Sequence, residues 1–197
     1  MGLFEQAVKG IKWNIIGTIG SMLIQFVISI ILARILLPEE FGIAGVAYVV
    51  VMLSRSFVDS GLYQALIQKK DATRDDFSVV FKFNLLLALL IFIIIQISSY
   101  KIGNYFNYSD LQPILNVLSF VILIESFSLI QRASLIKSIR FDKITKINIF
   151  SRILSGIVSI YMALNGFGVW SLVYKEIINS FVATLCYWIF NPVRINL

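Results

Sequence analysis

Leu85-Leu86-Leu87-Ala88-Leu89-Leu90-Ile91-Phe92-Ile93-Ile94-Ile95 contains no polar side chain and lies inside a longer apolar run, residues 77–100. A bilayer core of about 30 Å is crossed by roughly 20 mostly apolar residues in helical form, so this run predicts a transmembrane helix. A membrane strand is excluded, because such strands are about 10 residues long and alternate in polarity. Runs of the same kind occupy residues 13–37, 41–67, 111–136, 144–164 and 169–190. The predicted fold class is therefore all-α: a polytopic membrane protein, a bundle of six transmembrane helices. Turn and cap residues separate the runs: Pro38-Glu39-Glu40, residues 69–76, 103–110 and 137–143, and Asn165-Gly166-Phe167-Gly168.

Composition agrees. The chain has 197 residues, 58% of them hydrophobic and 14% charged, with 16 Phe; ordinary soluble domains carry about 25% charged residues. With no His and one Cys, imidazole acid/base catalysis, His-ligated metals, internal disulfides and Cys-rich zinc sites are excluded. No cofactor is expected, and no phosphate-binding loop for ATP occurs, so an electrochemical gradient is the expected drive for any transport.

The net charge of +6 is explained by topology. Lys9, Lys12, Lys69, Lys70, Arg74, Lys137, Arg140, Lys143, Lys146 and Arg194 fall at the N-terminus, in two connections and in the tail, whereas the other three connections hold only Lys101. Under the positive-inside rule both termini are expected in the cytoplasm, in a multi-pass membrane protein. The same distribution gives no basis for nucleic-acid binding. Residues 1–12 place Phe4, Ala7, Val8 and Ile11 on one helical face and predict an interfacial amphipathic segment before the bundle of residues 13–190. Residues 191–197 are expected to be a cytoplasmic tail or the start of a linker.

Polar residues within the spans fall in stripes. At about 100° per residue, Asn14, Thr18, Ser21, Gln25 and Ser29 share one face of the first span, and Thr145, Asn148, Arg152, Ser155 and Ser159 share one face of the fifth. These faces predict either a wet cavity or close helix packing through small residues, the latter for Ser21, Ser155 and Ser159 in particular. Charged residues inside spans are costly near a helix centre, about 2.5–3.5 kcal/mol each, so they are expected to face a cavity or one another. They are Arg55, Asp59, Glu125, Arg132, Arg152, Lys175 and Glu176. Arg55 and Asp59, spaced i,i+4, can pair directly. Arg34 lies one turn from its span's end and can snorkel. The cations outnumber the anions, which suits an anionic cargo, and guanidinium forks suit phosphate oxygens. Candidate substrate contacts are thus Arg55, Arg152, Lys175, Gln25, Asn148 and Arg34, and candidate charge-pairing or coupling residues are Asp59, Glu125, Arg132 and Glu176.

Several stretches carry a family resemblance. Leu32-Ala33-Arg34-Ile35-Leu36-Leu37-Pro38-Glu39-Glu40-Phe41-Gly42 resembles the first helix–helix junction of bacterial polysaccharide-export flippases, the Wzx-type branch related to MATE exporters and lipid II flippases. Phe57-Val58-Asp59-Ser60-Gly61-Leu62 with Ala65-Leu66-Ile67-Gln68-Lys69-Lys70 is similar to the family's second helix and following loop. Gln131-Arg132-Ala133, Arg140-Phe141 and Gly166-Phe167-Gly168-Val169-Trp170 continue the likeness along the chain. The sequence departs from the pattern at Ser60 and Tyr63, where a larger aliphatic and a small residue are usual. The resemblance implies translocation of undecaprenyl-diphosphate-linked oligosaccharide by alternating access between two six-helix lobes. It implies that Arg34, Arg55 and Asp59 line or brace the cavity. Since family members are about twice this length, it also implies that this chain corresponds to the first lobe, with membrane lipids, the lipid-linked glycan and a second six-helix lobe as partners. Other readings are a MATE-like antiporter of small cations coupled through Asp59 or Glu125, a membrane glycosyltransferase, and a non-transporting assembly subunit. The cationic balance argues against the first of these, and the lack of paired carboxylates in a large loop against the second.

Overall fold

A computed structural model describes residues 3–58, 61–69 and 71–191. Among them the elements are all helical: α1 (Leu3–Ile35), α2 (Pro38–Val58), α3 (Leu62–Gln68), α4 (Arg74–Phe106), α5 (Leu111–Leu118), α6 (Phe120–Lys137), α7 (Phe141–Leu164) and α8 (Val169–Phe190). Among the described residues, five helical stretches are long and apolar enough to cross a membrane: Lys12–Ile35, Pro38–Val58, Arg74–Phe106, Leu111–Lys137 and Phe141–Leu164. The sixth expected span, α8, has the length, with 22 residues, but Lys175, Glu176 and Asn179 lower its apolarity. Those three are not fully exposed, because α8 packs against α2, α5, α6 and α7.

α1 runs unbroken from Leu3 to Ile35, so the described part of the expected amphipathic segment is helically continuous with the first span. One expected boundary is corrected. The second span does not continue from residue 41 to 67. Gly61 stands at φ 78 between α2 and α3, a left-handed conformation that glycine adopts without steric cost and that a helix cannot contain. The Val58 carbonyl at the end of α2 accepts a hydrogen bond from Asn84 Nδ2 at 3.2 Å, so backbone is satisfied there by a neighbouring helix, as a membrane interior demands. The fourth expected span stands as one stretch, Leu111–Lys137, with α5 and α6 meeting at Ser119, whose backbone keeps helical dihedrals. Gln96 Nε2 donates to the Asn116 carbonyl and to Ser119 Oγ there, both at 3.0 Å.

Other ends follow capping chemistry. Thr73 and Asp76 form a reciprocal capping box at the start of α4, satisfying two otherwise orphaned donors. Pro38 occupies the first turn of α2, and Glu40 Oε2 accepts from the Leu37 N–H at 2.7 Å.

The wet faces of α1 and α7 meet each other. Thr145 Oγ1 donates to the Trp13 carbonyl at 3.0 Å, and a Cβ on Gly17 would collide with the Thr145 side chain, as one on Gly156 would with Ile28. Part of each stripe is therefore packing: Ser155 and Ser159 are buried, and Ser159 Oγ bonds the Ser171 carbonyl of α8 at 2.8 Å. Alanine at Gly156 is expected to destabilise the detergent-solubilised protein by about 1–3 kcal/mol through overpacking. Adding Ile28→Val, which removes the nearer of the two colliding carbons, is expected to recover part of the loss in thermal unfolding midpoint; no recovery would show that the contact is not limiting.

The dry core occupies one half of the bundle. Leu32, Leu111, Ile114, Leu115, Leu118, Val121 and Val173 are fully buried there, between the α4–α5 and α7–α8 connections and the bundle's middle. The other half, toward the Lys69 and Lys137 connections, holds the polar interior. On the outside of α4, Leu86, Leu89, Leu90, Ile93, Ile94 and Ile97 are exposed, the lipid-facing surface that the apolar run predicts.

Candidate substrate-binding cavity

A cavity of about 390 Å³ lies in that polar half, with α2, α3, α4, α6, α7 and α8 all contributing to its wall. Arg55 reaches it from the last turn of α2, Arg132 and Glu125 from α6, and Asn148 and Arg152 from α7. Arg55 is the hub. Its Nη2 donates to Glu125 Oε1 at 2.9 Å and to Glu176 Oε1 at 2.9 Å, so one guanidinium ties α2 to both α6 and α8. Ser180 Oγ donates to the same Glu125 oxygen at 2.9 Å. These charges obey the requirement that ionised groups inside a membrane find one another.

A positive balance remains. Arg55, Arg132 and Arg152 line the cavity with one carboxylate, Glu125. Even with Glu176 counted, the described guanidinium groups exceed the described carboxylates. Arg55 Nε, Asn84 Oδ1 and Asn179 Oδ1 are buried with no hydrogen-bond partner among the described residues, and all three residues line this cavity. Buried polar atoms are nearly always paired with protein, water or ligand, so this wall is built to be occupied.

A second cavity of about 280 Å³ lies between α1 and α7, lined by Asn14, Thr18, Ser21, Gln25 and Thr145 among others. Asn148 and Arg152 line both cavities. Arg152 Nη1 donates to Gln25 Oε1, and Asn148 Oδ1 accepts from the Tyr187 hydroxyl at 3.1 Å. The two polar stripes thus form one wet zone with Arg152 at its junction.

Most of the sequence-derived residues meet here. Arg55, Glu125, Arg132, Asn148 and Arg152 line the larger cavity, Gln25 the smaller, and Glu176 holds Arg55 from behind. Arg34 does not join them: it is exposed in the last turn of α1. Lys175, half-buried on α8, lines neither cavity. Asp59 lies outside the described residues, and so does the expected Arg55–Asp59 pair. Asn84, Asn179, Ser180, Thr184 and Tyr187, which no charge or polar stripe singles out in the sequence analysis, also line the larger cavity. Glu176, Ser180, Thr184 and Tyr187 recur at helical spacing, the same signal that marked α1 and α7.

Residues 31–197 match the model of the polysaccharide biosynthesis protein family. The chain belongs to that family. It is 31% identical over 77% of its length to a membrane protein in the cps region of Klebsiella pneumoniae. It is 26% identical over 88% of its length to the succinoglycan biosynthesis transport protein ExoT of Rhizobium meliloti, and 27% identical over 97% to the lipopolysaccharide biosynthesis protein WzxC of Escherichia coli. These alignments cover 31%, 35% and 39% of the respective relatives, so the chain spans about a third of their length. No solved structure matches the chain. Membership of the polysaccharide biosynthesis family agrees with the motif resemblance, whose elements now have places: Gln131-Arg132-Ala133 brings Arg132 to the cavity, and the Pro38-Glu39-Glu40 stretch turns α1 into α2.

Proposed function

We propose that this chain is one lobe of a carrier, not an enzyme, that moves polyprenyl-diphosphate-linked oligosaccharide across the bacterial inner membrane for polysaccharide assembly, with both termini in the cytoplasm. The observation that carries the reading is the convergence of Arg55, Arg132 and Arg152, from three different helices, on one membrane-embedded cavity. Guanidinium groups bind phosphate oxygens through paired, charge-assisted hydrogen bonds, and a low-dielectric surrounding strengthens each contact. Phosphates carry the charge of such a cargo, while its sugars are polar and its tail is apolar. A cavity of about 390 Å³ is near the lower end of ligand-pocket volumes, a size for the diphosphate and not for a whole glycan. The polar half lies toward the basic connections, where a cargo made in the cytoplasm would enter.

Arg152 is the most direct test, because its described side-chain bond is to an uncharged partner, Gln25. In the full-length protein, Arg152→Ala is expected to lower glycan export at least tenfold, with membrane protein levels within twofold of wild type and partial recovery in Arg152→Lys. Export at wild-type rate in the alanine variant would remove the phosphate-binding role of this cavity.

A further inference from the structure

The α4–α5 connection bears a pocket of different chemistry. It encloses about 310 Å³ and is lined by the side chains of Tyr100, Asn104, Asn107, Tyr108, Ser109 and Gln112. Along α4, Asn84 at the arginine cavity and Gly103 beneath this pocket are separated by about 28 Å of helix. The two sites therefore sit toward opposite ends of the bundle.

Three features distinguish it. No charged side chain lines it, although Lys101 and Asp110 flank it in sequence. None of its six polar side chains hydrogen-bonds another described residue, so amide and hydroxyl donors and acceptors are all available. Gly103 forms part of its lining in ordinary contact with the backbone of Tyr108 and Gln112: a Cβ there would stand 3.5 Å from the Gln112 nitrogen and 3.6 Å from the Tyr108 carbonyl. Asn107, at φ 57, turns the chain at the end of α4, and it and Tyr108 both line the pocket. Tyr100, 60% exposed, is the aromatic residue at the α4 side of the lining.

An uncharged wall selects against an isolated anion or cation, and the density of amides and hydroxyls selects against a purely apolar ligand. What fits is a ring with hydroxyls around its edge and C–H groups on its face. Asn and Gln amides each offer both donors and an acceptor, which vicinal hydroxyls match, and an aromatic face receives the C–H surface. We propose that this pocket is a subsite for a neutral hexopyranose unit. The assignment rests on the lipid-linked-glycan reading only for the natural source of the sugar; the binding itself is independent of the arginine cavity.

Saturation-transfer difference NMR on the chain in a detergent without a sugar headgroup tests it, with cellotetraose as neutral probe and trigalacturonate as acidic probe. The expected result is transfer to cellotetraose ring protons, at least threefold weaker for trigalacturonate. Tyr100→Ala and Asn107→Gly are each expected to lower the cellotetraose signal at least threefold. Glycine accepts the positive φ of Asn107, so this variant removes the amide while keeping the turn. Tyr100→Phe keeps the ring and is expected to retain at least half of the signal, and Arg152→Ala all of it. Sugar-free undecaprenyl diphosphate is expected not to compete. Absent transfer, as a mere interfacial tyrosine belt would give, overturns the proposal. So does an unchanged signal in both Tyr100→Ala and Asn107→Gly. Loss in Arg152→Ala or competition by undecaprenyl diphosphate places the sugar in the arginine cavity and overturns the subsite as well. Failure of the carrier reading is seen separately, as unimpaired export in Arg152→Ala.

Discussion

Alanine in place of Arg55 is expected to lower the amount of folded protein in the membrane several-fold. The guanidinium is the shared partner of Glu125 and Glu176 on two helices, and its removal strands both carboxylates in the polar interior. Removing one partner of a buried ion pair costs about 3–5 kcal/mol. These side chains retain 24–38% of their surface, which places the expected loss at the low end, about 3 kcal/mol. Against a total stability of about 5–15 kcal/mol, that is a large fraction, enough to lower abundance several-fold. The control is the charge-neutral triple variant Arg55→Met, Glu125→Gln, Glu176→Gln. It is expected to restore a monodisperse peak in fluorescence-detected size exclusion, because apolar or neutral replacements of a whole ion cluster are well tolerated. Glycan export is expected to stay lost, since the guanidinium that faces the cavity is gone. Restored export in the triple variant would make Arg55 a structural tie and nothing more. Normal levels of Arg55→Ala would show that the three charges are not holding α2, α6 and α8 together.

The parts of the fold that were legible in the sequence are those fixed by a single, strong constraint. Lipid demands about 20 apolar residues per crossing, so the runs around Leu85 or Ile157 announce themselves with no knowledge of their neighbours. The break at Gly61 did not, because it depends on a tertiary partner: Asn84 of α4 receives the free end of α2. The site was readable for the same reason. A charge within a span cannot go unpartnered, so Arg55, Glu125, Arg152 and Glu176 were visible as a group that must face inward. Who pairs with whom was not readable. The i,i+4 spacing favours Arg55–Asp59, yet the described partners of Arg55 come from residues 70 and 121 positions further along the chain. Serine and threonine were the weakest signal, because the same hydroxyl that wets a cavity can back-bond to its own helix. Ser128 and Thr184 both line the cavity; Ser128 bonds the Glu125 carbonyl at 2.9 Å, while Thr184 bonds the Ile124 carbonyl of α6 at 3.1 Å.

The second large effect concerns the chain by itself. Reconstituted as a monomer, these 197 residues are expected to leave a fluorescent polyprenyl-diphosphate glycan where it is placed, with no flipping above that of empty liposomes. Alternating access works by rocking one repeat or bundle against another around a central site, and one six-helix bundle supplies one wall. The wet zone fits that role. Asn14, Thr18 and Gln25 of α1 remain exposed although α7 packs against the same helix, so a polar strip at membrane depth stays open to whatever lies beside it. Lipid there is unfavourable for polar groups; a second bundle, as the greater length of the relatives allows, would cover the strip. A dithionite-quenching assay on proteoliposomes holding at most one chain each reads the result directly. Flipping by verified monomers would refute the single-wall reading. Flipping that appears only as the fraction of liposomes with two chains rises would support it, with a second copy standing in for the missing wall.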